Sequence, residues 1–363
     1  MKKLSLLIIV CLFLAACQPN QAALPNSKQG SDVASAANQT LTAVPGIDQP
    51  PTPAPYANLP AATSTSQATG STAANPTGTS APADQSAAGK IPNFDHIVLI
   101  VLENKGYNTV IGSPQAPNLN GLAQKYVQLS NYYAVSHPSL PNYIALMSGG
   151  TQGITSDCNN CFVNQKNLAD LVMASGRTWK AYEEDMPAPC SLGDTKLYAQ
   201  KHNPLIYFDS IRLNSKLCDS NIVPLTQLDS DLAAKQLPSF SFLMPNLCNS
   251  GHDCAIDKPD AWVQNMVTKL QASPALGNNS LIIVVFDEAE GSDKGTCCGL
   301  SGTGGGQVPA ILISPLAKPA FTDSTDYSHY SLLKTILTAW NLPGLGKTQD
   351  PATSAIVAPW IQK

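Results

Sequence analysis

Apolar and polar positions alternate along this chain in two kinds of run. Asp95-His96-Ile97-Val98-Leu99-Ile100-Val101-Leu102 and Leu281-Ile282-Ile283-Val284-Val285-Phe286 are β-branched apolar runs of strand length, as are the shorter Phe240–Met244 and Ala310–Ile313. Such unbroken runs predict strands covered on both faces. Between them apolar residues recur at helical spacing: Leu119, Leu122, Ala123 and Tyr126; Leu168, Leu171 and Val172 before Gly176; Trp262, Val263, Met266, Val267 and Leu270; Leu332, Leu333, Ile336 and Leu337. Strands alternating with helices of this length predict an α/β fold, a three-layer α/β/α sandwich around a central, largely parallel sheet.

The residues just past each strand run carry the candidate chemistry. The first run ends in Glu103-Asn104, Phe240–Met244 leads into Pro245-Asn246 and then Gly251-His252-Asp253, and the late run ends in Asp287-Glu288. In open α/β sheets the carboxyl ends of strands converge on the ligand crevice, so these clusters should meet, joined by His329 at the start of the last helix. Strand-end Asp and Asn also cap helices and form turns, but carboxylates, amides and histidines in combination favour a metal site. His137-Pro138-Ser139-Leu140-Pro141-Asn142 sets a serine ahead of a proline-started helix, whose free N–H groups suit an anion such as phosphate. Ser139 is therefore a candidate nucleophile, with a plain helix N-cap as the alternative. His137 divides evenly between packing and function, whereas His96 and His202 read as structural or surface residues. Gly-x-Ser-x-Gly and His-Glu-x-x-His are both missing, which disfavours an α/β-hydrolase esterase and a zinc metalloprotease. Gly302-Thr303-Gly304-Gly305-Gly306 lacks the Lys-Ser/Thr ending of a phosphate loop and reads as a mobile loop at the site mouth.

Composition changes the picture at the N-terminus. Met1-Lys2-Lys3 and the apolar stretch after it form an export signal, and Leu14-Ala15-Ala16-Cys17 is similar to a bacterial lipobox in which Cys17 takes the lipid. Gln18 after the cysteine resembles outer-membrane lipoproteins, so the expectation is an exported, outer-membrane-anchored protein. Residues 18–90 hold 10 of the 29 prolines, Tyr56 as their one aromatic residue and five charges, a composition of a disordered tether. This leaves 1–17 as signal and lipobox, 18–90 as tether and 91–363 as the catalytic region. A net charge of −4 without basic runs disfavours a nucleic-acid partner. Eight of the 10 cysteines lie in the folded region, where export favours disulfides; zinc at Cys158 and Cys161 is the competing reading.

His137-Pro138-Ser139-Leu140-Pro141-Asn142-Tyr143, with Glu103-Asn104, Gly251-His252-Asp253, Asp287-Glu288 and His329-Tyr330-Ser331-Leu332-Leu333 in that order, resembles the bacterial and fungal phosphoesterase family, whose members include acid phosphatases and phospholipases C. The resemblance implies an alkaline phosphatase-like fold, Ser139 as nucleophile and Asn142 and Asn104 as phosphate contacts. It also places Glu103, Asn104, Asp287 and Glu288 at a first metal, and Asn246, His252 and His329 where two-metal relatives hold a second. Glu288 stands where the zinc phosphatases have histidine and Asn246 where they have aspartate. These departures favour one oxygen-ligated divalent ion (Ca, Mg, Mn or Zn), with His252 or His329 free to protonate the leaving oxygen. The implied activity is phosphomonoester hydrolysis through a phosphoseryl intermediate, with phosphoinositide monophosphates among the substrates. Lys105-Gly106-Tyr107-Asn108 after Glu103-Asn104 departs from the phospholipase pattern. A phospholipase C-type diesterase and a non-catalytic lipoprotein that binds phosphate compounds are the alternatives.

Overall fold

The computed structural model describes residues 90–291, 293–300 and 304–361. The lipobox with Cys17, the tether up to residue 89, and Gly302 and Thr303 lie outside the described residues. Ten strands and nine α-helices run in chain order among those described. They are β1 (His96–Leu102), α1 (Tyr107–Val110), α2 (Pro117–Lys125), β2 (Val127–Leu129), β3 (Tyr132–Tyr133), α3 (Ser139–Ser148), α4 (Leu168–Ala174), β4 (Trp179–Glu183), α5 (Asp209–Arg212), α6 (Ser215–Asn221), β5 (Ile222–Pro224), α7 (Gln227–Ala233), β6 (Phe240–Met244), α8 (Asp257–Ala272), β7 (Ser280–Phe286), β8 (Ala310–Ile313), β9 (Phe321–Asp323), β10 (Tyr327–Ser328) and α9 (His329–Ala339).

Eight strands form one sheet in the order β5-β4-β6-β1-β7-β8-β2-β9, and β10 pairs separately with β3. Every neighbouring pair in the large sheet is parallel except those made by β8, which runs against β7 and β2. The central strands owe their position to composition: β6, β7 and β8 are buried throughout, and β1 from Ile97 onward. Helices flank the sheet, α2 packing on α8, and α3 on both α9 and α4. Helix α3 stops at Gly149, which sits in the left-handed region at φ 73°. A side chain there would run into the Leu345 carbonyl, so only glycine fits. The eight cysteines pair as Cys158–Cys161, Cys190–Cys218, Cys248–Cys254 and Cys297–Cys298, which sets aside the zinc reading of Cys158 and Cys161.

Candidate active site

Register brings the first two acidic clusters together. Leu102 pairs with Phe286 across β1 and β7, so Glu103 and Asp287 emerge side by side at the carboxyl edge. Asn104 turns the chain in the left-handed region (φ 54°), and its backbone N–H donates to Asp287 Oδ1 at 3.0 Å.

Ser139 is the first residue of α3 rather than its cap. Pro138 holds the cap position without a capping side chain, and Asp157 Oδ1 accepts the Leu140 N–H of the first turn at 3.0 Å. The buried Ser139 hydroxyl lies instead 3.1 Å from Glu103 Oε2 and 3.1 Å from Glu288 Oε1. One proton serves only one of these acceptors at a time, so the hydroxyl sits between two candidate bases. Tyr143, one turn along α3, donates its hydroxyl to Glu103 Oε1. On the other side His137 Nδ1 pairs with Glu288 Oε2 while its Nε2 donates to the Asp293 carbonyl at 2.7 Å, so His137 aims Glu288.

Three buried acids around one hydroxyl ionise with difficulty. Burial, and then the Asp287 charge, push Glu103 well above the ordinary carboxylate range. Burial also raises Asp287, against the opposing hydrogen bond from Asn104. Glu288 rises to about 7 through burial and the Asp287 charge, with His137 pulling the other way. Asp287 Oδ2 is buried without a hydrogen-bond partner. An all-oxygen set with an unengaged carboxylate oxygen fits a hard divalent cation, whose charge would let the acids ionise together.

A second donor set adjoins the first: Glu103, His202 and His252 each offer a ligand atom within 4.8 Å of one another. His202 Nε2 is 3.3 Å from Glu103 Oε1, and the ring is stacked on Tyr143 at 5.6 Å between centroids. Burial and then the nearby charges of Lys201 and His252 hold His202 well below the ordinary imidazole range, so it stays neutral. This corrects the expectation of a structural or surface residue at His202; its segment, a short turn before Pro204, carries no strand end and no period that would mark it. His252 Nδ1 faces Asp253 Oδ1 at 2.7 Å and its Nε2 faces Lys201 Nζ at 3.2 Å.

Three expected site residues have other partners. Asn142 accepts at Oδ1 from the N–H groups of Val135 (2.9 Å) and Ser136 (3.0 Å) and donates to the carbonyls of Ser136 (2.8 Å) and Pro138 (3.2 Å). Its amide is fully engaged in bracing the loop ahead of Ser139, which leaves nothing for phosphate. Asn246 Oδ1 accepts from Cys248 N at 3.0 Å and Asn249 N at 2.8 Å, and its Nδ2 donates to Asp185 Oδ2 at 2.6 Å, closing a turn rather than joining the carboxylates. His329 meets the Asp287 carbonyl through Nε2 at 2.6 Å and the Tyr132 hydroxyl through Nδ1 at 3.1 Å. Burial lowers this ring to about 4, and with both nitrogens engaged it orients the Asp287 backbone instead of offering a ligand atom. The segment after Glu288 folds back on the serine loop: Ala134 N donates to the Gly306 carbonyl at 2.9 Å, and Gly305 lies too close to the Ser136 carbonyl for any side chain.

A mostly parallel sheet flanked by helices sets the helix-borne serine against strand-end carboxylates, an α/β architecture shared with proteins of the alkaline phosphatase superfamily. A protein of that superfamily from Vibrio parahaemolyticus matches at 14% identity with a TM-score of 0.50, over 73% of this chain and 72% of its own. The lipoteichoic acid synthase LtaP of Listeria monocytogenes matches at 10% identity with a TM-score of 0.53, over 77% of this chain and 80% of its own. The Phosphoesterase family matches residues 113–343, and the chain belongs to that family. A phosphatidylinositol-3-phosphatase of Mycobacterium tuberculosis is 33% identical over 267 residues, 72% of this chain and 81% of its own. An acid phosphatase of Aspergillus fumigatus is 33% identical over 263 residues, of whose length the match spans 56% against 70% of this chain. The chain is thus a phosphatase-type hydrolase of phosphoric esters.

Proposed function

We propose that this chain is an exported, metal-dependent phosphomonoesterase that works through Ser139. The observation that carries the reading is the Ser139 hydroxyl held 3.1 Å from both Glu103 and Glu288 at the start of α3. A divalent cation held by Glu103, Asp287 and Glu288 would favour the serine alkoxide and neutralise phosphate charge. Glu288, 3.1 Å from the Ser139 hydroxyl, is placed to take the serine proton, and His137 fixes its direction. Ser139 Oγ forms the bond to phosphorus while the bond to the leaving oxygen breaks in line. That oxygen takes its proton from water, since His252 accepts from Lys201 at Nε2 and faces Asp253 through Nδ1, and a further water then hydrolyses the phosphoseryl group to return the serine. At the start of α3 the Leu140 N–H is taken by Asp157 and Pro141 has none, which leaves the Ser139 N–H for the negative charge of a phosphoryl oxygen.

Substrates in this reading are phosphomonoesters, including phosphoinositide monophosphates, the class suggested by the name of the mycobacterial relative. Lipidated Cys17 would tie the enzyme to the membrane through residues 18–90. Steady-state kinetics with an aryl phosphomonoester and the matching diester test the reading. The monoester should win in kcat/KM by at least ~10²-fold, about 2.7 kcal/mol of transition-state discrimination. A preference for the diester would move the assignment to a phospholipase C-type activity.

A further inference from the structure

Phosphate recognition needs positive charge, and this chain has only two arginines, Arg177 and Arg212. Both are engaged away from Ser139. Arg177 bonds Asn93 at 2.7 Å and lies over Trp340, while Arg212 bonds Asp209 at 2.7 Å and lies over Phe162. Lys105 Nζ is pinned to two backbone carbonyls, Gly251 at 2.8 Å and Asn104 at 3.2 Å. Lys201 also has two partners, but they are side chains of the site and of the acid bonded to the serine helix rather than backbone carbonyls. Its Nζ donates to Asp157 Oδ2 at 2.7 Å and meets His252 Nε2 at 3.2 Å. Asp157 is itself tied to the serine helix, since its Oδ1 accepts the N–H of Leu140, the residue after Ser139, at 3.0 Å. The half-buried ammonium thus touches His252, which offers a ligand atom within 4.8 Å of those of Glu103 and His202.

An ammonium has three N–H groups, and two of those on Lys201 are accounted for. We propose that Lys201 is the side-chain cation that recognises the phosphate dianion, its third N–H taking a non-bridging oxygen of the substrate. This rests on the phosphomonoesterase reading and deepens it, because it names what favours monoesters. A monoester dianion carries three charged non-bridging oxygens, whereas a diester has replaced one of them with an uncharged ester oxygen. Without that third oxygen the Lys201 charge has less to hold.

The test uses the full-length, metal-loaded protein and two readouts. Titration calorimetry with inorganic phosphate reports binding without turnover, and kcat/KM for matched monoester and diester reports selectivity. Lys201→Met should weaken phosphate binding and lower monoester kcat/KM by about 10- to 100-fold, the range for a charged hydrogen bond, while diester kcat/KM changes less than about 3-fold. Lys201→Met also leaves Asp157 without its partner, so Lys201→Met/Asp157→Asn is measured alongside. The amide oxygen of the new asparagine keeps an acceptor for the Leu140 N–H. Loss that persists in the double variant supports phosphate recognition; recovery there, or phosphate affinity unchanged in Lys201→Met, overturns it. Full monoester turnover by Ser139→Ala would defeat the underlying mechanism instead, and the phosphate titration would still decide the role of Lys201.

Discussion

Glu288→Gln separates the charge of the site from its metal. The Glu288 carboxyl rises from 4.5 to about 7 because burial disfavours the anion and Asp287 repels it. The folded chain therefore holds more protons than the unfolded chain between those values. The stability linked to this group is present below pH 4.5 and is lost as pH climbs through about 7. At about 1.36 kcal/mol per pH unit the loss is about 3 kcal/mol, or roughly 6–12 °C in Tm for a domain of this size. Glu103 and Asp287 are raised as well, so they steepen the same slope. A divalent cation bound by the three acids opposes it, because it stabilises their ionised forms. The assay is thermal unfolding of chelator-treated protein at about pH 5 and about pH 7.5, with and without added Mn²⁺. Metal-free wild type should lose Tm at the higher pH relative to Glu288→Gln, and Mn²⁺ should raise Tm more at about pH 7.5 than at about pH 5. Parallel pH profiles for wild type and Glu288→Gln, or equal stabilisation by Mn²⁺ at both pH values, would refute the reasoning.

Asp287→Asn should fold yet lose bound metal and activity together, checked by metal analysis and turnover on one preparation; full activity in a metal-free preparation would count against the metal site. Asn142→Ala leaves the Val135 and Ser136 N–H groups without their acceptor, so denaturant unfolding should show a loss of about 2–4 kcal/mol, with weaker turnover from a loosened serine loop. Labelling cells with a radioactive fatty acid should mark the wild type and spare Cys17→Ala; equal labelling of both would remove the anchor.

Much of this fold can be read along the chain because the strands that organise it are apolar on both faces. The runs at Asp95–Leu102, Phe240–Met244, Leu281–Phe286 and Ala310–Ile313 are β1, β6, β7 and β8, and the helical periods correspond to α2, α4, α8 and α9. Strand β4 escapes such reading because Trp179–Glu183 mixes Lys and Glu with its apolar residues, and the three-residue β2, β5 and β9 are too short to show a period. The reversal of β8 depends on pairing, which no local pattern carries. The strand-end acids Glu103, Asp287 and Glu288 were legible as a group, since register follows from neighbouring parallel strands. Partners were not. Asn142, Asn246 and His329 have the atoms of ligands or phosphate contacts, but hydrogen bonds to nearby backbone engage them. His202, in a short 3₁₀ turn far along the chain, lies beside Glu103 and stacks on Tyr143.

The central claim is that Ser139 carries the phosphoryl group, and trapping that species tests it most directly. The metal-loaded enzyme is quenched in acid during turnover of a phosphomonoester, digested, and its peptides are sequenced by mass spectrometry. The account predicts phosphate on Ser139 in the wild type, and in Ser139→Ala no modified peptide together with turnover at least ~10³-fold slower. Undiminished turnover by Ser139→Ala, or phosphate found on another residue, would contradict it.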